Sequence, residues 1–254
     1  MLRTVSVCLI AFVLLVGCQP EQRSDLQPIT DPREALREAV EQIRSKETFR
    51  ILIEQTGVAY RFQVSLDAGT TFVTAIMRRG EAQFIVPDEL YATVRLEVPP
   101  LPTVNVEIFA QELNQFFRLA GGDWINFPIA EGFNPGELVR DDSGFALALG
   151  QLRNLEYVGT ATLIDGTLTQ HIRGNASGET INNLMFNLLA LTQDNIVVDV
   201  YLDPQTRFPL RLVLTLPGTA TEREGDTTWN IELYDINAPA RVRAGENGRP
   251  VDQN

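Results

Sequence analysis

The chain has 254 residues, 44% of them apolar and 21% charged, with a formal net charge of −12 and a single histidine. That length allows one or two domains, and a single large β domain of this size is common. The acidic balance argues against nucleic acid as a partner and against electrostatic docking on anionic headgroups, so contact with lipid would have to be apolar.

The amino terminus is punctuated as a secretory leader. Met1-Leu2-Arg3 is cationic, and Val5 to Val16 is an apolar run too short for a comfortable membrane span of about 20 residues. Leu15-Val16-Gly17-Cys18 then puts a small residue before a cysteine, the pattern of a bacterial lipobox. It predicts cleavage after Gly17, a thioether-linked diacylglycerol on Cys18 and an acylated new amino terminus. The alternatives are an ordinary signal peptide with an accidental cysteine, or an uncleaved anchor. Each buried methylene contributes about 0.8 kcal/mol, and one chain of about 14 carbons attaches only marginally, so the two or three chains expected on Cys18 would hold. Loss of residues 1–17 discards Cys8 and Arg3, leaving 237 residues with a formal charge of −13. With its one remaining cysteine acylated, the mature chain has no disulfide framework, thiol nucleophile or cysteine metal site.

Residues 18–31 read as the lipidated start and a flexible tether, because Gln19 to Thr30 offers little apolar surface. Asp31 as cap, Pro32 at the first helical position and Glu34 three residues after the cap predict a helix near 32–46, with Leu36, Ala39, Val40 and Ile43 on one face. From Thr48 to about Phe127 the period becomes two. Tyr60, Phe62, Val64 and Leu66, then Val94, Leu96 and Val98, then Val104, Val106 and Ile108, read as half-buried strands. Gly69, Gly80, Pro99-Pro100-Leu101-Pro102 and Gly121-Gly122-Asp123 punctuate them. Helical spacing returns at 143–153. A hairpin over Tyr157 to Gly174 turns at Asp165-Gly166, and a helix at 177–191 carries Ile181, Leu184, Met185, Leu188 and Leu191 on one stripe. Alternation is cleanest in Ile196 to Leu202, Leu210 to Leu216 and Trp229 to Leu233, with Asp203-Pro204 making the first turn. Residues 32–240 read as a single domain, and the polar tail 241–254 as disordered.

The predicted fold class is α+β. About eleven antiparallel strands are too many for a flat twisted sheet, so the sheet should curve into a half-barrel with the amphipathic helices over its concave face. Helices cannot follow a strongly curved sheet everywhere, and an apolar gap between the two layers would suit acyl chains. The candidate lipid-contacting residues are Phe145, Leu149, Leu152, Ile181, Leu184, Met185 and Leu188 from the helices. Phe62, Val64, Leu96, Val106 and Leu212 face them from the strands. The competing reading is that these side chains simply fill the core.

Catalytic readings fare poorly. Ser177 in Gly174-Asn175-Ala176-Ser177-Gly178 is one position out for a nucleophile elbow and reads as a helix cap. His171 has no second histidine for a zinc motif, and its same-face neighbours Thr169 and Arg173 read as a solvated strand surface. Asp141-Asp142 could pair as a carboxylate site, but reads better as the cap of the helix near Ser143. Trp124, Phe127 and Phe133 form either a mouth touching lipid or the filled end of the sheet.

Several segments together resemble a known family: the lipobox at Cys18, the helix followed by a strand at Thr48-Phe49-Arg50, Asp123-Trp124-Ile125-Asn126-Phe127-Pro128 before a Pro135 helix, Gly159 ahead of Asp165-Gly166, and Val200-Tyr201-Leu202-Asp203 leading to Pro209-Leu210-Arg211. Over roughly residues 32–240 the chain resembles the mycobacterial LppX/LprAFG group of lipid-carrier lipoproteins, whose half-barrel is similar to the Lol-pathway lipoprotein carriers. It departs from them in its acidity and in the short Leu191 to Asn195 connection. The resemblance implies a non-enzymatic carrier without cofactor or metal that shields lipids or glycolipids and moves them across the cell envelope. It would sit on the extracytoplasmic side of a bacterial membrane through acylated Cys18. A transporter or acceptor protein would be its further partner, and a monomer is expected. A structural or adaptor lipoprotein with a filled core is the alternative, and a membrane-tethered hydrolase a distant third.

Overall fold

In the computed structural model, which describes residues 27–65, 72–100, 102–119, 121–126, 133–185 and 191–253, Asp31 opens the first helix. Its carboxylate accepts from the Arg33 and Glu34 amides at 2.9 and 3.1 Å, and α1 runs Pro32–Arg44 with Ala35, Leu36, Ala39, Val40 and Ile43 buried. Glu34 does not reach back to the cap; it pairs forward with Arg37. Cys18, residues 1–17, Leu66, Gly69, Leu101, Phe127, Pro128 and Leu188 lie outside the described residues, as does the side chain of Val64. Ile29, expected within the loose tether, is buried in the core, and the Gln27 carbonyl accepts from Gln170 at 2.7 Å.

Among the described residues seven strands follow, β1 (Thr48–Thr56), β2 (Arg61–Ser65), β3 (Phe72–Ile85), β4 (Glu89–Glu97), β5 (Val104–Gln111), β6 (Asn114–Leu119) and β7 (Ile125–Asn126), and the three alternating runs read from sequence fall on β2, β4 and β5. A 3-10 helix at Pro135–Leu138 precedes α2 (Gly144–Gly150). Gly144 is required there: its φ is +50°, and a Cβ would fall 2.3 Å from the Leu138 carbonyl oxygen. The helix predicted at 143–153 ends earlier, at Gly150, where the Arg33 guanidinium reaches the Gly150 and Leu152 carbonyls. Then come β8 (Arg153–Thr162), β9 (Leu168–Ala176), α3 (Gly178–Leu184), β10 (Ile196–Leu202), β11 (Pro209–Leu216) and β12 (Thr227–Tyr234). The β8–β9 turn forms at Asp165-Gly166, with Gly166 at φ +90° and the Asp165 carboxylate taking the Thr167 amide at 2.9 Å. Ser177 caps α3 by accepting from the Thr180 amide at 3.3 Å.

These strands form one open, antiparallel, twelve-stranded sheet in the order β7-β6-β5-β4-β3-β1-β12-β11-β10-β9-β8, with β2 also paired to β3. This is the predicted half-barrel class. The tail departs from expectation. Residues 242–252 are ordered as a hairpin of β13 (Val242–Ala244) and β14 (Pro250–Asp252). Its polar composition is overridden because Val242, 2% exposed, packs against Phe109 and Phe116, contacts that local sequence does not encode.

Candidate functional site

Side chains alternate across a strand, so the register carries one face through the whole sheet. On the concave face, Phe49 and Ile51 of β1 sit beside Phe84 and Ala82 of β3 and, on the other side, Leu233 of β12. The row continues through Ile231, Leu212, Val200 and Ile172. Against this half lie Phe145, Leu149 and Leu152 from α2 and its exit, and Ile181, Leu184 and Met185 from α3 and its last turn. All belong, with Leu212, to one continuous core cluster. None of these seven candidates is more than 4% exposed. They come together in one buried cluster, and protein interiors leave few voids larger than a water molecule.

The other three described candidates are placed differently. Phe62, Leu96 and Val106 lie on the same concave face, are half-buried, and stand outside that cluster. Phe62 pairs opposite Ala75, and Leu96 opposite Met77 and Val104. Val106 lies between Val94 and Leu119, and Ile108 between Ala92 and Phe117. Leu119 is 53% exposed. Five strands, β2 to β6, thus present an apolar shelf roughly 20 Å across at the usual strand spacing. The 3-10 helix reaches β4 and β5, where Leu90 and Ala110 join the core, and the shelf begins beyond it. Sequence reasoning missed Met77, Phe117 and Leu119 as lining residues, although Gln115 to Leu119 alternates in the same way.

The convex face carries the polar chemistry. His171 is 8% exposed and Thr169 fully buried, so the expected solvated surface is corrected to a packed one in which Arg173 alone of the three is exposed. His171 Nε2 lies 2.6 Å from Asp199 Oδ1, Arg173 Nε donates to the same oxygen at 2.7 Å, and the imidazole stacks on Tyr201 at 4.5 Å. Burial pushes the Asp199 carboxyl up, but the bonds from His171 and Arg173 outweigh it and hold the group below its ordinary range. Further along, burial and a 2.8 Å hydrogen bond to Glu81 push the Tyr234 phenol up to about 12. The histidine is bound into this cross-strand network on the side away from the shelf.

Two other readings are corrected. Asp141 and Asp142 do not cap α2; they pair with Arg44 and Arg140, and Ser143 at the cap donates to the Glu137 carbonyl at 2.7 Å. They line an open cleft of ≈ 630 Å³ with Arg44, Val86, Pro87, Val139 and Arg140, whose charges are already paired. Nor do Trp124 and Phe133 share a mouth. Trp124 packs edge-on to Phe109 at 6.5 Å on the convex face, whereas Phe133 is in the core. Among the described residues, no helix is long and apolar enough to cross a membrane.

The LppX_LprAFG lipoprotein family model matches residues 31–242. The chain belongs to the LppX_LprAFG lipoprotein family. Its fold is similar to that of LprF from Mycobacterium bovis, with a TM-score of 0.56 at 16% identity over 84% of this chain and 96% of that one. It is also similar to LppX from Mycobacterium tuberculosis, with a TM-score of 0.53 at 16% identity over 82% and 96%. No curated protein matches it in sequence. The LppX_LprAFG match runs from the α1 cap to the first residue of β13, so both halves of the concave face lie within it.

Proposed function

We propose that this lipoprotein, anchored through acylated Cys18, carries lipids or glycolipids across the cell envelope with their acyl chains laid along the β2–β6 shelf. The observation that supports this reading is the continuation of an apolar concave face past the edge of the core, with Leu96, Val106 and Leu119 outside the cluster that fills the other half. The helix stripes named from sequence then serve as the wall that ends the shelf.

A shelf that contacts a chain from one side covers about half its circumference. At about 0.8 kcal/mol per buried methylene, a dozen half-shielded methylenes contribute on the order of 5 kcal/mol. That corresponds to a dissociation constant no tighter than about 0.1 mM, whereas two such chains reach the submicromolar range before ordering costs. The cargo that fits is a lipid with at least two acyl chains, released when an acceptor membrane or protein covers the same methylenes better. Extraction of the full chain, purified from membranes, into organic solvent tests this: the acyl groups on Cys18 stay covalently attached, and free multi-acyl lipid should appear at about one per protein. Repeated absence of free lipid would favour the adaptor reading.

A further inference from the structure

Directly behind the shelf, on the convex face, lies a second apolar cluster of Phe109, Phe116 and Val242, edged by Tyr91, Trp124 and Ala244. Val242 and Ala244 reach it from the tail, which crosses the back of the sheet as a strap over residues 239–253. Buried Gln83 grips the strap's start, taking the Arg241 amide at 2.8 Å and donating to the Pro239 carbonyl at 3.2 Å. Glu89 takes the Ala244 amide at 3.0 Å. Arg118 grips its end. One edge of the guanidinium meets Glu107 at 2.5 and 3.1 Å, the other meets Asp252 at 3.0 and 3.1 Å, and the group lies 4.4 Å from the Trp124 ring centre. These bonds hold the Glu107 carboxyl below its ordinary range.

Arg118 sits between Phe117 and Leu119, which point the opposite way, onto the shelf. In the filled half, the helices fix the sheet's curvature from the concave side. Among the described residues, Phe62, Leu96, Val106 and Leu119 of the shelf strands stand outside the core that the helices join, and β3 carries an irregularity between Met77 and Arg79 that lets this half bend separately. The strap braces these strands from the back through Gln83, Glu89 and Arg118. The family match stops at residue 242, so β14 and Asp252 lie beyond it.

We propose that the strap is an external clamp that sets the curvature of β4–β6. Arg118 is its positioning residue, and through that curvature it determines how many acyl chains, and of what length, the shelf accepts. The second half of this statement rests on the lipid-carrier reading; the first does not. Asp252→Ala, Arg118→Met and Arg118→Lys in the full chain separate the two. Amide hydrogen exchange in Asp252→Ala should rise about fivefold in β4–β6 and stay unchanged in β9–β12, as loss of a surface-bridged pair would give. Free lipid per protein should fall at least twofold and its chain-length range broaden, with Arg118→Lys falling between wild type and Arg118→Met because it keeps the charge without the two-edged fork. Localised exchange in a chain that carries no free lipid would uphold the clamp and end the carrier reading. Unchanged exchange in β4–β6 of both Asp252→Ala and Arg118→Met, or an equal rise across β9–β12, would overturn the clamp whatever the lipid does.

Discussion

Leu212 and Leu96 hold comparable places, each an inward-facing residue on an interior strand of the same sheet, yet Leu212 is fully buried and Leu96 only half-buried. The same alternation of apolar and polar residues produced both. Among the described residues, what separates them is cover: α1, α2 and α3 pack together over the β8–β12 side, and the shelf on the β2–β6 side extends past them. A sheet's own sequence therefore decides which face is apolar, and remote helices decide whether that face becomes core or surface. Among the described residues, one half holds the larger buried cluster and the other keeps its inward-facing apolar side chains half-buried.

The sharpest way to break this comparison is to truncate one side chain in each half. Phe145→Ala should destabilise the protein by about 3–5 kcal/mol, since it opens a cavity in a packed cluster, and any lipid loss should track unfolding in a denaturant titration. A double substitution on the shelf, Leu96→Asn with Val106→Asn, should cost only about 1–2 kcal/mol because both side chains are half-buried. It should nonetheless cut free lipid per folded molecule several-fold by mass spectrometry. Equal effects on stability and lipid in both variants would erase the distinction between the halves.

Acid sharpens the contrast in another way. The Asp199 carboxyl is held below its ordinary value in the folded state, so its contribution is fully present above the unfolded carboxylate pKa of about 3.9 and is lost as pH falls through the folded value. Because Asp199 joins β9 to β10 in the filled half, Asp199→Asn should lower stability at neutral pH and flatten its decline below about pH 4, read by thermal unfolding across pH. Lipid content of the folded fraction should not change. The smallest effect belongs to Ile164→Ser at the tip of the β8–β9 turn: that side chain is 100% exposed, so stability should stay within about 0.5 kcal/mol and lipid content unchanged.

Much of the fold was legible in local chemistry. Asp31-Pro32 set the start of α1, Asp165-Gly166 set a turn, and the alternation set the strands together with the inward-facing set that includes Phe62, Leu96, Val106 and Leu212. Three things were not legible, because each depends on tertiary pairing. The stripes on α2 and α3 could equally be core or cavity, and local sequence does not show that they join one buried cluster with Leu212 and Val200. The strap reads as a polar tail until Phe109 and Phe116 from a distant hairpin take up Val242. His171 looks solvated until Asp199 and Tyr201 arrive beside it from β10. Arg44 shows the same limit at smaller scale, since its partner Asp141 lies far along the chain.

Photocrosslinking tests the central claim most directly. A diacyl lipid with a photoactivatable group midway along one chain, loaded on the full protein and mapped by peptide mass spectrometry, should label the span from Val94 to Leu119. Labelling concentrated on α2 and α3, or none above an irradiated control lacking the photoactivatable group, would contradict the assignment of the shelf as the lipid surface.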